Sequence, residues 1–410
     1  MPDRLKLLFF AEAVTLAHVA RPVALARQLD AARYDIAIAC APRYARFAQG
    51  GPWTVLPLHS LQPERFNAAL SQGRPVYDVD TLSAYVDEDR ALIEQHRPDA
   101  VIGDFRLSLA VSARLAQVPY LAIANAYWTP LAPPRFPMPV LPLSRALPLP
   151  LARALFVIGR PFVFPSHCQP MNRLRQRHGL PGYGSDLRRV YSDADHLLLP
   201  DAPALFADIV PGAHASWIGP LAWAPALHLP PWWAETETPG APWVYVTLGS
   251  SGPPAALQLV LQALADQPVR VMASTAGGPV PAQVPANARL ADYLPGDAAA
   301  ARAQLMVCNG GSLGTQQALA AGVPVLGLAS NMDQFLNMAP IEAAGAGITL
   351  RTDRLSVRTV AQASSLLLDG SAHDAARRLQ PAMRVAPGPA AVLAEALDRL
   401  DVSAGRRRQK

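Results

Sequence analysis

Lysine is nearly absent from this chain. Of 36 basic residues only Lys6 and Lys410 are lysine, and the arginines are scattered rather than clustered. Charged residues make up 16% of 410 positions, against about 25% in an average globular protein. With 31 acidic residues the net charge is +5, too thin a field over so long a chain to argue for nucleic acid. Cysteine is scarce too. Cys40, Cys168 and Cys308 lie far apart without CxxC spacing, which excludes a disulfide framework and a zinc site of cysteine pairs and fits a reducing compartment. No apolar run reaches the roughly 18 residues of a membrane span. Arg4 and Lys6 before Leu7–Phe10 imitate a secretory leader, but Glu12 breaks the run and no small-residue cleavage site follows. Low charge does not mean disorder here, because 51% of the residues are hydrophobic.

What the chain does have is proline: 42 residues, roughly twice the usual share. Two stretches concentrate it. Residues 225–242 read as a linker by composition. Trp128 to Pro165 reads as a long irregular excursion, either a binding loop or lid or a proline-stiffened surface excursion packed by its own side chains. Being apolar and basic it could also rest on a membrane surface, though its proline density argues against an amphipathic helix. Elsewhere short apolar runs alternate with helical periodicity. Leu5–Phe10, Ile36–Cys40, Ala100–Gly103, Tyr120–Ala124, His196–Leu199 and Trp217–Gly219 precede the linker; Trp243–Gly249, Val269–Met272, Leu305–Val307 and Val325–Gly327 follow it. Continuous apolar strands separated by helices predict parallel sheets covered on both faces. The expected division is a 1–225 Rossmann-like domain, a 226–241 linker, a 242–385 Rossmann-like domain, and 386–410 as a helix crossing back plus a basic tail at Arg406–Arg408.

Chemistry concentrates after the linker. An apolar strand ending at Cys308 leads into Asn309-Gly310-Gly311-Ser312 and then a helix. Glycines allow close backbone approach, and a helix N-terminus offers free amides suited to phosphate. Ser312 and Thr315 add hydroxyls. The glycines lack the following Lys of a Walker A loop. Asp333-Gln334 follows the next strand, at the edge where open α/β sheets bind ligands, and could grip adjacent sugar hydroxyls; the plainer reading of Asp333 is a helix cap.

The order of these motifs resembles the nucleotide-sugar glycosyltransferases that include bacterial macrolide and plant natural-product transferases. The matching residues are Asn309-Gly310-Gly311, Gly314-Thr315, Gln317-Ala318-Leu319, Gly322-Val323-Pro324, Asp333-Gln334 and Asn337, with Tyr293-Leu294-Pro295 and Thr247-Leu248-Gly249-Ser250 upstream. Ala17-His18-Val19, Pro22 and Ala24-Leu25-Ala26 resemble the segment carrying that family's catalytic base, and Asp104 stands where the family keeps its partner carboxylate. Arg106 reads as a structural or acceptor-side charge.

The resemblance implies two doubly wound α/β domains facing across a cleft, the GT-B arrangement. It implies an inverting hexosyltransferase needing no metal and no cofactor beyond its nucleotide-sugar co-substrate. His18 would deprotonate an acceptor hydroxyl and Asp104 would orient it. Tyr293 would stack on the donor base. Ser250, Asn309, Gly310, Gly311, Ser312, Gly314 and Thr315 would hold the diphosphate, Gln317 the ribose, and Asp333 and Gln334 the sugar. Two residues depart from the family: Asn309 replaces a histidine and Gln317 a glutamate, both neutral. They point towards weaker donor binding or a thymidine nucleotide lacking the ribose 2′-hydroxyl. The acceptor is expected to be a small apolar molecule or a lipid, and the location cytoplasmic, with peripheral contact at the inner membrane face. A lipid-linked or peripheral-membrane transferase and a non-catalytic nucleotide-sugar-binding protein of the same fold are the alternatives.

Overall fold

The computed structural model describes residues 4–225, 228–249, 252 and 254–402. Its contacts divide the chain into two units, one of Met1–Pro134, Pro148–Leu221 and Val385–Lys410, the other of Arg135–Leu147 and Ala222–Arg384.

The first unit holds a parallel seven-stranded sheet: β1 (Leu5–Ala11), β2 (Tyr34–Cys40), β3 (Trp53–Pro57), β4 (Ala100–Asp104), β5 (Tyr120–Ile123), β6 (His196–Leu199) and β7 (Ala215–Trp217), in the order β3-β2-β1-β4-β5-β6-β7. The second holds a parallel six-stranded sheet: β8 (Trp243–Thr247), β9 (Arg270–Ser274), β10 (Ala288–Ala291), β11 (Leu305–Cys308), β12 (Val325–Ala329) and β13 (Gly347–Arg351), ordered β10-β9-β8-β11-β12-β13. Both are Rossmann-like. In each sheet the order reverses beside the first strand, between β1 and β4 and between β8 and β11, and the carboxyl ends flanking such a reversal form a crevice. Central strands are buried along most of their length because helices cover both faces; β1, β4, β8 and β11 are the apolar runs read from sequence. The three strands that sequence reading passes over, β3, β10 and β13, all lie at sheet edges and are only partly buried.

Three expectations change. The excursion is not irregular throughout, for Leu149–Arg177 forms one helix with Pro161, Pro165 and Pro170 inside it. Each proline removes an amide donor, but the three carbonyls this frees belong to the exposed residues Val157, Pro161 and Ser166, where water can bind them. The helix's second half is anchored by Cys168, Met171 and Leu174, packed with Leu82, Tyr85 and Val86 of the Val79–His96 helix. Arg135–Leu147, expected in the 1–225 domain, belongs to the second unit. Val140 N–H donates to the Ser330 carbonyl at 2.7 Å, Arg351 to the Met138 carbonyl at 2.7 Å, and Ser144 Oγ to Asp353 at 2.6 Å. Of the expected 226–241 linker, the described residues 228–241 also pack on that unit. Trp233 is buried beneath the Arg302 guanidinium, and the Trp232 indole donates to the Leu290 carbonyl.

The last helix, Pro389–Arg399, lies in the first unit. Its approach requires glycine at position 219, where φ is +73° and a Cβ would stand 2.7 Å from Val385. Residues 403–410, with the arginine tail, fall outside the described residues.

Candidate active site

In the first unit polar groups converge at the sheet reversal. The loop after β1 delivers His18 on the Ala17–Ala26 helix, while Asp104 is the last residue of β4. His18 Nδ1 lies 2.8 Å from Asp104 Oδ1. Arg21 Nη2 also lies 3.0 Å from this Nδ1; in the tautomer with the proton on Nδ1 the carboxylate accepts it and the Nε2 lone pair is left open. Asp104 is fully buried, whereas the His18 side chain keeps 18% exposure and can meet a ligand.

Arg21 completes the constellation, and sequence reading missed it. One turn beyond His18, it donates from Nε to Asp104 Oδ2 at 2.7 Å and from Nη2 to Oδ1 at 2.6 Å. Its Nη1 donates to Asn125 Oδ1 at 2.7 Å, and Asn125 donates in turn to Asp201 at 2.8 Å. The bidentate fork fixes the carboxylate plane that receives His18. The i, i+3 spacing on one helix face was the available signal; Asn125 and Asp201 follow β5 and β6, so only the sheet order brings them in.

Phe105 backs this site. Its φ is +59°, an outlying conformation for a bulky residue that must be held by its surroundings. Its ring stacks on His18, with centroids 4.7 Å apart and planes 17° apart. The next residue does the holding. Arg106 is fully buried and donates to Glu12, Asp89 and Glu88, each at 2.9 Å, and to the His59 carbonyl at 2.5 Å. Burial opposes its charge, but Asp89 and Glu12 keep its proton on more firmly than usual. Burial likewise raises the Glu12 and Asp89 carboxyls, with Arg106 pulling against it. Arg106 is therefore structural, and Glu12, which broke the apolar run in the sequence, is its counter-ion. The cysteines offer no nucleophile, since burial pushes Cys40 and Cys308 up to about 12 and Cys168 to about 11.

In the second unit the expected donor residues gather at the β8–β11 reversal. Gly249 follows β8 with φ of +63°, and its Cβ would stand 3.4 Å from Asn309 Nδ2. Gly310, φ +78°, leaves 2.9 Å between a would-be Cβ and Met338, so only glycine fits. Asn309 Oδ1 accepts from Gly311 N–H at 3.0 Å. Gly311 caps the Ser312–Ala320 helix without a side-chain acceptor, leaving its first-turn amides open to an anion. Ser312 and Gly314 lie in that turn. Tyr293 anchors the neighbouring turn through its hydroxyl, which donates to the Ala276 carbonyl at 3.0 Å. Ser250 lies outside the described residues.

Other expected donor contacts are spent internally. The buried Thr315 hydroxyl donates back to the Gly311 and Ser312 carbonyls and accepts from Asn337, which also ties down the Gly310 carbonyl at 2.8 Å. Thr315 therefore shapes the loop. Gln317 donates to the Trp223 carbonyl at 2.7 Å and bonds Asp297. The Gln334 amide oxygen accepts from Ser330 N–H, Ser330 Oγ and Asn331 N–H, so only its NH₂ remains to reach a ligand. The cap of the Met332–Ala343 helix is Asn331, not Asp333. Asp333 stays partly exposed in the first turn.

Two Rossmann-like units, each with polar groups at its reversal point, define the GT-B class of fold. A family model described as "Erythromycin biosynthesis protein CIII-like, C-terminal domain" matches residues 258–399. Over 380 residues the chain is 49% identical to a PGL/p-HBAD biosynthesis glycosyltransferase of Mycobacterium tuberculosis, covering 92% of this chain and 89% of that protein. It is also 49% identical over 380 residues to a PGL/p-HBAD biosynthesis rhamnosyltransferase of Mycobacterium bovis, covering 92% and 84%. Spinosyn rhamnosyltransferase SpnG shares the fold with a TM-score of 0.68 at 19% identity, over 95% of this chain and 99% of that one. The chain belongs to the macrolide-type family of nucleotide-sugar glycosyltransferases and is itself a glycosyltransferase.

Proposed function

We propose that this enzyme transfers a sugar, with inversion, from a nucleoside diphosphate donor to a hydroxyl of an apolar acceptor, using His18 as general base. The observation that carries the reading is the His18–Asp104 pair, 2.8 Å apart at the sheet reversal, with the His18 side chain 18% exposed. The acceptor O–H proton passes to His18 Nε2 as the oxygen attacks the anomeric carbon. The bond from that carbon to the phosphate oxygen breaks from the opposite side, and the diphosphate leaves with the electron pair. Asp104 then carries the counter-charge of the imidazolium, while Arg21 holds Asp104 in plane. The open amides of the Ser312–Ala320 helix meet the charge growing on the leaving group without a resident metal. Tyr293 takes the base, Asn309, Gly310, Gly311, Ser312 and Gly314 the diphosphate, and Asp333 with the Gln334 NH₂ the sugar.

For the donor, we favour a thymidine diphosphate sugar, with rhamnose as the sugar to test first. Gln317 spends its N–H donors on Trp223 and Asp297, so what it offers a ribose hydroxyl is a neutral carbonyl oxygen, a weaker acceptor than a carboxylate. One relative is named a rhamnosyltransferase, and a fold neighbour is SpnG complexed with thymidine diphosphate. The other relative, at the same 49%, is named only a glycosyltransferase, so identity does not select the sugar.

The central test replaces His18 by Ala. Transfer is expected to fall by about 10² to 10⁴ with donor binding retained; unchanged turnover removes the base. Asp104→Asn should depress kcat with little change in donor KM. NMR of the product reads the anomeric configuration, and retention overturns direct displacement. Calorimetric titration compares thymidine and uridine diphosphates, and equal or tighter uridine binding overturns the nucleotide assignment.

A further inference from the structure

One surface of the first unit is not explained by catalysis. The first half of the Leu149–Arg177 helix stands out from its unit with apolar side chains facing solvent. Leu151 is 49% exposed, Leu155 42%, Ile158 67% and Phe162 79%. Their spacing of four, three and four residues makes one continuous stripe along the helix, and Val157, 56% exposed, adds apolar surface off that stripe. A contiguous exposed apolar face of this kind marks an interaction surface.

The charges beside it choose the occupant. This helix carries five arginines, Arg153, Arg160, Arg173, Arg175 and Arg177, and no acidic residue. The acid-free stretch runs further, from Phe105 to Ser185, in a chain whose acids and bases are otherwise near balance. Arg175 is buried beside Asp193 and Arg177 reaches Asp80, but a second copy of the exposed first half would bring Arg153 and Arg160 against the same two arginines with no carboxylate on either helix. An anionic lipid headgroup layer supplies the missing charge, and its acyl boundary takes the stripe. Arg153 and Arg160 interrupt the apolar residues, and among the described residues no helix is long and apolar enough to cross a membrane. The segment therefore suits lying on a surface.

We propose that residues 151–163 dock the enzyme on an anionic phospholipid surface, with Leu151, Leu155, Ile158 and Phe162 entering the headgroup–acyl boundary and the exposed Arg153 and Arg173 contacting lipid phosphates. The site is separate from the proposed base and stands whichever sugar is transferred.

The test is co-sedimentation of the full chain with vesicles of phosphatidylcholine alone or with added phosphatidylglycerol. The wild type is expected to sediment with the anionic vesicles and to be released by salt. Ile158→Asp/Phe162→Asp, at exposed positions that leave folding intact by circular dichroism, should lose binding at least tenfold while keeping turnover on a water-soluble acceptor. Arg153→Gln/Arg173→Gln should weaken anionic-vesicle binding on the order of tenfold and leave the thermal transition in place. Wild-type protein that stays in the supernatant with both vesicles overturns the proposal, as does equal sedimentation of the Asp double variant. A wild-type dimer in light scattering that the Asp variant converts to monomer, without vesicle binding, assigns the stripe to self-association and overturns it too.

Discussion

Replacing Arg106 by Leu tests whether the ion cluster behind the proposed base holds the first unit together. The guanidinium meets three carboxylates at 2.9 Å. Glu12 and Asp89 are both 0% exposed, so leucine strands them, whereas Glu88 keeps some exposure and can turn to water. Removing one partner of a buried pair costs about 3–5 kcal/mol, which for a unit of this size corresponds to a fall in melting temperature of roughly 10 °C. The stranded carboxyls bind protons more tightly folded than unfolded, so the penalty is smallest below their ordinary range and grows as pH rises through it. The variant's deficit should therefore be larger at pH near 8 than near 5. Turnover should fall as well, because Arg106 holds the chain at Phe105, whose ring supports His18. Scanning calorimetry across that range reads the deficit. A second variant adding Glu12→Gln and Asp89→Asn should regain much of the loss, since no charge is then stranded. A single variant melting within about 2 °C of wild type at neutral pH, taken with the stability scale above, refutes this reasoning.

Further outcomes follow from the same contacts. Gly310→Ala forces a Cβ to within 2.9 Å of Met338 at φ of +78°; a loss of roughly 1–3 kcal/mol and weaker nucleotide binding are expected, and calorimetry showing neither would contradict the close-approach argument. His196 is buried with its ring against Ser216, and burial, helped by Arg399, lowers it to about 4. The unfolded chain then takes the proton first, so this contribution to stability is intact above the ordinary histidine range and is lost as pH falls towards 4. His196→Gln should flatten the decline in melting temperature between about pH 6.5 and 5; an unchanged slope would locate the acid sensitivity elsewhere.

The sequence by itself determined the fold class, the central strands and the glycine-rich turn, because each depends on local chemistry. A strand covered on both faces must be apolar along its length, and Leu5–Ala11 or Leu305–Cys308 can be read as such in isolation. Gly310 is dictated by its own backbone angle. The family motifs also set His18 and Asp104 apart as a candidate pair. Tertiary structure decided what depends on residues distant along the chain. The edge strands β3, β10 and β13 carry a weak pattern because one flank faces away from the sheet. The proline-rich excursion divided into a segment bound to Ser330, Arg351 and Asp353 and a helix whose first half keeps its apolar face in solvent. Arg21 gained its meaning when parallel pairing of β1 with β4 brought Asp104 beside it, and Arg106 when folding enclosed it with Glu12 and Asp89. A buried charge is tolerated only with its partners, and those partners lie 17 to 94 residues away in the chain.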